Sequence, residues 1–541
     1  MHTTLLGARH RLLLAVGLLA ALATTALPRG YGGGHNAPLP AAVIAQGEDP
    51  ILAQGKLLYQ RNCAACHGES GDGQGEALKF LSPKPRNFQD AKFKLVSTGN
   101  RVPTDADLMQ VITRGMPGSA MIPYGHLPEQ ERQALVKYVR HLMRTGVEAR
   151  IVKALKEAEE AVDPQAVAKD VDRLAMPGEV MALPKDLPAN DEASLARGKL
   201  LYMNQCATCH GETGRGEGGK EQKDDDGSPT KPRDFTQGIF KGNRDLVSLY
   251  HRIQIGMPGT PMPASPHLKP GEIADMVHYV QSLAPADAQA KVEHKRQQLV
   301  AKRVPTITNE VWQTVPATTI VVSPLWWRDF LNPELQVQAV HDGKQVAVRL
   351  SWKDTSKNDS VLRPEDFEDM AALQLFRGQH EPFIGMGAKD SAIDLWLWRA
   401  SWGHKDAETA HQMDEYPFDT PFYKDRIKKG NGPPPNFRTA QAAGNQNVPN
   451  GTGNSASSLT AGGFGSTTFR PKLSQSVSAS AQYGNGRWSV VLRRPLAVPA
   501  GEGVTLEPGS RSSIVFAIWD GQAKDRNGQK LISIWHDLVV E

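Results

Sequence analysis

The sequence predicts a multidomain chain in which two all-α domains are followed by a mainly β, sandwich-like domain, and three observations predict it. All four cysteines lie before residue 211 and all 10 tryptophans lie between Trp312 and Trp535, so two kinds of domain are joined. The cysteine-bearing part is a tandem repeat, because GKLLYQRNCAACHGESGDGQG from Gly55 aligns with GKLLYMNQCATCHGETGRGEG from Gly198. Beyond about residue 305 the apolar residues alternate instead of following a helical period. At ~150 residues per domain, a length of 541 allows roughly three to four domains.

Charge narrows the function classes. Lys and Arg total 62 against 58 Asp and Glu, a net charge of +4, so neither a nucleic-acid-binding stripe nor a polyanion stands out. An apolar fraction of 40% with 50 Gly and 38 Pro indicates long loops around real cores rather than a disordered chain.

Taken in order, residues 1–45 read as a signal peptide and tether. Arg9, His10 and Arg11 precede an uncharged apolar run from Leu12 to Leu27, shorter than the ~20 residues of a membrane span, which favours a cleaved secretory signal over an anchor. A periplasmic or otherwise extracytoplasmic chain is expected, with membrane association as the alternative. Residues 46–148 and 189–285 hold the two repeats. Lys84-Pro85-Arg86-Asn87-Phe88 matches Lys231-Pro232-Arg233-Asp234-Phe235, and Gly115-Met116-Pro117-Gly118 matches Gly256-Met257-Pro258-Gly259. Each repeat closes on an amphipathic helix, carried by Leu135, Val136, Val139, Leu142 and Met143 in the first and by Ile273, Met276, Val277, Val280 and Leu283 in the second. Residues 149–188 read as a solvated helical linker and residues 286–304 as a second linker helix. In residues 305–541, Leu335–His341 and Val346–Trp352 flank Asp342-Gly343 as a hairpin, and further strands are expected at 393–398, 487–493, 513–519 and 531–540. The Gly-, Asn- and Ser-rich stretch 425–468 is expected to be an extended loop.

The chemistry sits in Cys63-Ala-Ala-Cys66-His67 and Cys206-Ala-Thr-Cys209-His210. Two thiols three positions apart can add to the two vinyl groups of one haem, and the adjacent His then reaches the iron, which is the c-type haem attachment signature. A zinc site is the competing reading, but each frame supplies only three ligands and lacks a second Cys pair. A thioredoxin-like pair would need a βαβ setting that is absent around both frames. Two covalent c-type haems use all four cysteines and leave none for a disulfide or an iron–sulfur cluster.

Both repeats resemble small class I cytochrome c domains, which implies His67 and His210 on one side of each iron and a Met on the other. Each repeat offers two methionines, Met116 or Met121 and Met257 or Met262; the family's position just before the last helix favours Met121 and Met262. His/Met ligation suits electron transfer rather than oxygen chemistry. Arg86 and Arg233 are candidates to hold haem propionates by charge-assisted hydrogen bonds, with solvated loop arginines as the alternative.

The runs FEDMAALQLF at 367–376, PFIGMGAKDSAIDLWLWRASW at 382–402, GRWSVVLRRPL at 486–496 and FAIWDGQAKDRNGQKLISIWHDLVV at 516–540 resemble the haem b-binding γ subunits of ethylbenzene and dimethyl sulfide dehydrogenases. The resemblance implies one non-covalent haem b held by a Met and a Lys, which carry over to Met386 and Lys530. Trp396, Trp398, Trp519 and Trp535 are expected to wall its slot. It further implies a non-catalytic, multihaem electron-transfer subunit that works with a molybdenum catalytic subunit, an iron–sulfur subunit and a soluble or membrane electron carrier. Nitrite/nitrate oxidoreductase is one setting; hydrocarbon, sulfide, selenate and chlorate chemistry stay open. A self-contained multihaem oxidoreductase and a soluble dihaem shuttle with a docking domain are the alternatives.

Overall fold

Helix α1 (Pro50–Asn62) begins where the Asp49 carboxylate accepts the amides of Ile51 and Leu52, with Pro50 in the first turn. It leads into the short α2 (Ala64–His67), then α3 (Asp105–Arg114), which opens on a Thr104/Asp107 capping box, and α4 (Glu129–Glu157). This is a computed structural model, and it describes residues 49–219, 221–328, 334–361, 365–403 and 455–541. The expected signal and tether lie outside the described residues, as does most of the stretch 425–468.

After α5 (Pro164–Ala175) the second repeat reproduces the first with α6 (Glu192–Gln205), α7 (Ala207–His210), a small hairpin of β1 (Gln222–Lys223) and β2 (Pro229–Thr230), α8 (Leu246–Ile255) and α9 (Pro270–Ser282). In each repeat the first helix crosses the last at a glycine. A Cβ on Gly55 would sit 2.2 Å from the Ala134 carbonyl oxygen, and one on Gly198 would sit 2.0 Å from that of Asp275. The shared GKLLY sequence is therefore a close helix crossing. Around it Leu58, Tyr59, Leu135 and Met143 form the first core, and Tyr202, Ile273, Met276 and Val277 the second.

Among the described residues the carboxy-terminal domain is a 14-stranded sheet, with α10 (Val311–Thr314) beside it. Its strands are β3 (Gln298–Arg303), β4 (Thr318–Val321), β5 (Ser323–Pro324), β6 (Glu334–His341), β7 (Gln345–Lys353), β8 (Met370–Phe376), β9 (Ile393–Arg399), β10 (Ala456–Ala461), β11 (Thr468–Phe469), β12 (Ser478–Gly484), β13 (Arg487–Pro495), β14 (Arg511–Trp519), β15 (Leu531–Ile532) and β16 (His536–Val540). The order β11-β10-β9-β8-β14-β16-β3-β6-β7-β13-β12 folds back on itself as a sandwich. Trp398 of β9 meets Trp488 of β13, which it does not pair with, at 5.0 Å between ring centroids. Pairing is antiparallel except where β3 lies parallel to both β16 and β6.

Three expectations are corrected. Residues 286–304 are not a linker helix: a 3-10 turn at Ala290–Val292 is followed by β3, wedged between β16 and β6. The charged composition suggested a helix, but Leu299 and Ala301 alternate with more exposed neighbours, and two waiting strand edges supply the hydrogen bonds. The 149–188 stretch is not one solvated helix, since α4 ends at Glu157 and α5 buries Val167, Val171 and Ala175 against the first repeat. Within 425–468, Ala456–Ala461 and Thr468–Phe469 are strands that extend the sheet from β9.

Candidate haem sites and the cavity they share

Each CxxCH frame is a single helical turn that ends at a glycine in the left-handed region, Gly68 at φ +78° and Gly211 at φ +77°. Tyr59 on α1 donates to the Gly68 carbonyl at 2.8 Å and Tyr202 on α6 to that of Gly211 at 2.7 Å, locking the turn against the helix before it. His67 Nδ1 hydrogen-bonds the Arg86 carbonyl at 3.0 Å, which leaves Nε2 as the nitrogen available to a metal. The His67 ring stacks on Phe88 and the His210 ring on Phe235, both at 4.4 Å. Burial holds both imidazoles down at about 4, so each is a neutral ligand at neutral pH. Burial likewise pushes the Cys63 and Cys66 thiols up to about 12 and Cys206 to about 11.

The first frame opens into a cavity of about 680 Å³. Cys63, Cys66, His67, Met116 and Met121 line one side, so both methionine candidates of the first repeat face it. The loop holding them is closed by the Met116 amide donating to the Met121 carbonyl at 2.8 Å. In the second repeat the Met257 amide donates to the Met262 carbonyl at 3.1 Å; Met257 is buried and Met262 half-buried.

The opposite side of the same cavity belongs to the β domain and includes Met386 and Lys530. Met386 is held by its carbonyl, which accepts the Gly463 amide at 2.9 Å. Lys530 ends the β14–β15 connection; its ammonium lies 4.9 Å from the Trp519 ring, and burial lowers it to about 8. That shift brings a neutral, ligating amine within reach. Met370, Ala372, Leu395 and Leu397 form the floor. Strand alternation corrects the tryptophan expectation: on β9, Leu395 and Leu397 face the cavity while Trp396 and Trp398 point into the sandwich core. Of the four tryptophans, Trp519 lines the cavity, and Trp535 packs elsewhere against Phe376.

Domain 1 docks beside Lys530. The Ser82 amide donates to the Leu325 carbonyl at 3.0 Å, and the Leu325 amide donates to the Lys530 carbonyl at 2.9 Å. Phe80 packs against Gly528, where a Cβ would come within 2.4 Å of the ring.

Arg86 and Arg233 are not solvated loop residues. Arg86 reaches the Gly259 carbonyl in the other repeat, and Arg233 reaches the Pro117 and Gly118 carbonyls and stacks on Trp327 of the β domain. The Nε atoms of both are buried without a hydrogen-bond partner, leaving two donors that could meet an anion. Two thiols, a neutral imidazole, a thioether and spare cationic donors together fit a covalent haem in each repeat. Sequence reasoning missed Lys94, which lines the cavity, and Lys241, which enters it from the second repeat. The signal was present, because Phe93-Lys94 and Phe240-Lys241 stand at the same distance from their KPR segments.

Comparison with known proteins places these sites in families. Residues 52–143 and 195–284 match the cytochrome c family, and residues 309–531 match the family described as ethylbenzene dehydrogenase. A protein of Haloferax mediterranei named as a respiratory nitrate reductase heme subunit is 26% identical over 236 residues, 42% of this chain and 66% of that protein. Chlorate reductase subunit gamma of Ideonella dechloratans is 27% identical over 236 residues, 42% of this chain and 76% of that one. Dimethylsulfide dehydrogenase subunit gamma of Rhodovulum sulfidophilum is 25% identical over 241 residues, 41% and 70% respectively. The chain therefore carries two cytochrome c domains, over residues 52–143 and 195–284, followed by a segment, residues 309–531, that matches the ethylbenzene dehydrogenase family.

Proposed function

We propose that this chain is a three-haem electron-transfer subunit of an exported oxidoreductase complex. Cys63 and Cys66 would hold the first covalent haem, with His67 and Met121 as axial ligands, and Cys206 and Cys209 the second, with His210 and Met262. Met386 and Lys530 would hold a non-covalent haem b. Haem ligated on both faces supplies reversible one-electron chemistry without an open coordination position. The residues of the chain supply fixed positions, neutral ligands and a cavity with an apolar floor.

The observation that carries the reading is the shared cavity: Met386 and Lys530 line the same space as Cys63, Cys66 and His67. A haem b slot and a haem c slot that run into one another make an electron relay from the β domain through the first repeat to the second. The relatives named for nitrate, chlorate and dimethylsulfide chemistry support a role beside a catalytic partner. That partner would be a molybdenum subunit, reached through an iron–sulfur subunit, with a soluble or membrane carrier at the other end. No described helix is long and apolar enough to cross a membrane, and export would rest on the signal in residues 1–45. The divisions at 46–148 and 189–285 belong to the same proposal, with α5 joining the first repeat and β3 carrying the β domain back to Gln298.

The test is a haem count with partner identification. Protein purified from its native source should keep two haems after denaturation, release one haem b to acid–acetone, and bring a molybdenum chain and an iron–sulfur chain with it. Lys530→Ala or Met386→Ala should turn the extractable haem high-spin or remove it while both covalent haems survive. A dihaem protein that purifies alone would make the chain a shuttle instead.

A further inference from the structure

The two KPR segments meet across the boundary between the repeats, and they meet reciprocally. Arg86 Nη1 approaches the Gly259 carbonyl at 3.5 Å, while Arg233 donates to the Pro117 and Gly118 carbonyls at 3.1 and 3.0 Å. Gly118 and Gly259 are equivalent positions of the repeat. A Cβ on Gly118 would lie 2.6 Å from the Arg233 guanidinium, and one on Gly259 would lie 2.3 Å from that of Arg86. The repeats are thus paired about a local two-fold, each arginine seated on the Met-Pro-Gly turn of the other.

Lys94 and Lys241, also equivalent, stand with the arginines. Lys94 is 7% exposed and pairs with Asp224 at 3.0 Å; Asp224 also faces Arg86 at 3.8 Å. Lys241 belongs to the second repeat yet lines the cavity of the first CxxCH frame, together with Arg86 and Lys94. Burial, then the neighbouring Lys94 and Arg233, holds the Lys241 ammonium well below its ordinary value. Four cations therefore gather around Asp224 as the carboxylate enclosed with them, and the Nε atoms of Arg86 and Arg233 lack partners. Buried positive charge in excess is costly unless anions meet it. Each haem of a cytochrome c carries two propionate carboxylates, anions of the right kind for cations that line the cavity of the first frame and, through Lys241 and the Arg233 backbone, stand beside His210 of the second.

We propose that Arg86, Lys94, Arg233 and Lys241 form one seam that binds the propionates of both covalent haems, so that a lysine of either repeat tunes the haems of both. The seam concerns the covalent haems alone and stands whether or not the chain serves a catalytic partner. It deepens the role of the acidic hairpin as well: residues 219–230 replace the shorter 76–83 of the first repeat, and they bring Asp224 to Lys94 and Arg86, Asp225 to Lys92 and Asp226 to Lys84.

Spectroelectrochemical titration of the full chain, following the α-bands of the covalent haems, tests this. Removing a buried positive charge favours the ferric state, so Lys241→Met should lower both covalent midpoint potentials, at least one of them by about tenfold in the reduction equilibrium, about 59 mV for one electron. Lys241→Arg should restore them. Lys94→Met should reproduce the double shift, and it decides the question if Lys241→Met fails to retain both haems. Potentials that stay at the wild-type values, or a shift confined to one covalent haem in both variants, would overturn the shared seam.

Discussion

In the first repeat the space beyond His67 continues into the β domain as far as Met386 and Lys530, whereas from the second repeat that space receives Lys241 and no part of the CxxCH frame. The two repeats have the same Tyr-to-Gly carbonyl lock, the same imidazole-on-Phe stack and the same glycine crossing, to within 0.2 Å in each distance quoted above. Their difference lies in what surrounds them. The β domain closes over the CxxCH frame of the first repeat, while the second repeat meets it through Arg233 on Trp327, so two copies of one module sit in unlike surroundings.

The largest effect should come from removing either thiol pair. Cys63→Ser with Cys66→Ser should remove one covalent haem and also disturb the spectrum of the proposed extractable haem, since Cys63, Cys66, Met386 and Lys530 line one cavity. Cys206→Ser with Cys209→Ser should remove one covalent haem and leave the extractable one unchanged. Pyridine haemochrome spectra before and after acid–acetone extraction check both; equal disturbance in the two variants would erase the asymmetry.

A smaller effect is expected at the docking contact. Gly528→Val would drive a side chain into Phe80, where even a Cβ comes within 2.4 Å. Overpacking of this kind costs about 1–3 kcal/mol, and here it should fall on the contact between the first repeat and the β domain. Limited proteolysis should show faster cleavage at that boundary, while the contact between the two repeats, which does not involve Gly528, keeps its protection.

The smallest of the three sharpens the contrast from the β side. Arg296, just before β3, binds both Glu381 and Asp537 of β16, and Arg511 binds Asp537 as well. Burial alone would raise the Asp537 carboxyl, but hydrogen bonds from the two guanidinium groups hold it at about 2. Against an unfolded value of about 3.9, the pair contributes about 2 kcal/mol above pH ~4. A depressed carboxylate loses that contribution as pH falls through its folded value, so stability should drop between about pH 4 and pH 2. Near-ultraviolet circular dichroism, dominated by the tryptophans of the β domain, should show this loss, and Asp537→Asn should flatten it.

Much of the site was legible in local windows. The CxxCH spacing, the closing helices and the Asp342-Gly343 hairpin are each written within about 20 residues, because a helical turn, a strand period or a thiol pair depends only on near neighbours. Met386 and Lys530 were singled out only through family resemblance, and the structure shows that both line the cavity of the first frame.

What the sequence alone determined is therefore the set of parts: two haem-attachment frames, their helices, and a β domain with inward and outward faces. Tertiary structure decided which face does what. Alternation on β9 required that Leu395 and Leu397 oppose Trp396 and Trp398, but only the packing of the first repeat on one side and β13 on the other made the leucine face a cavity and the tryptophan face a core. The same holds for the 286–304 segment, whose charged composition reads as helix until β16 and β6 offer it two strand edges. It holds also for Lys241, an ordinary loop lysine in its own repeat that becomes part of its neighbour's cavity. In each case the deciding energy is a contact between residues far apart in the chain, and short-range patterns carry no information about it.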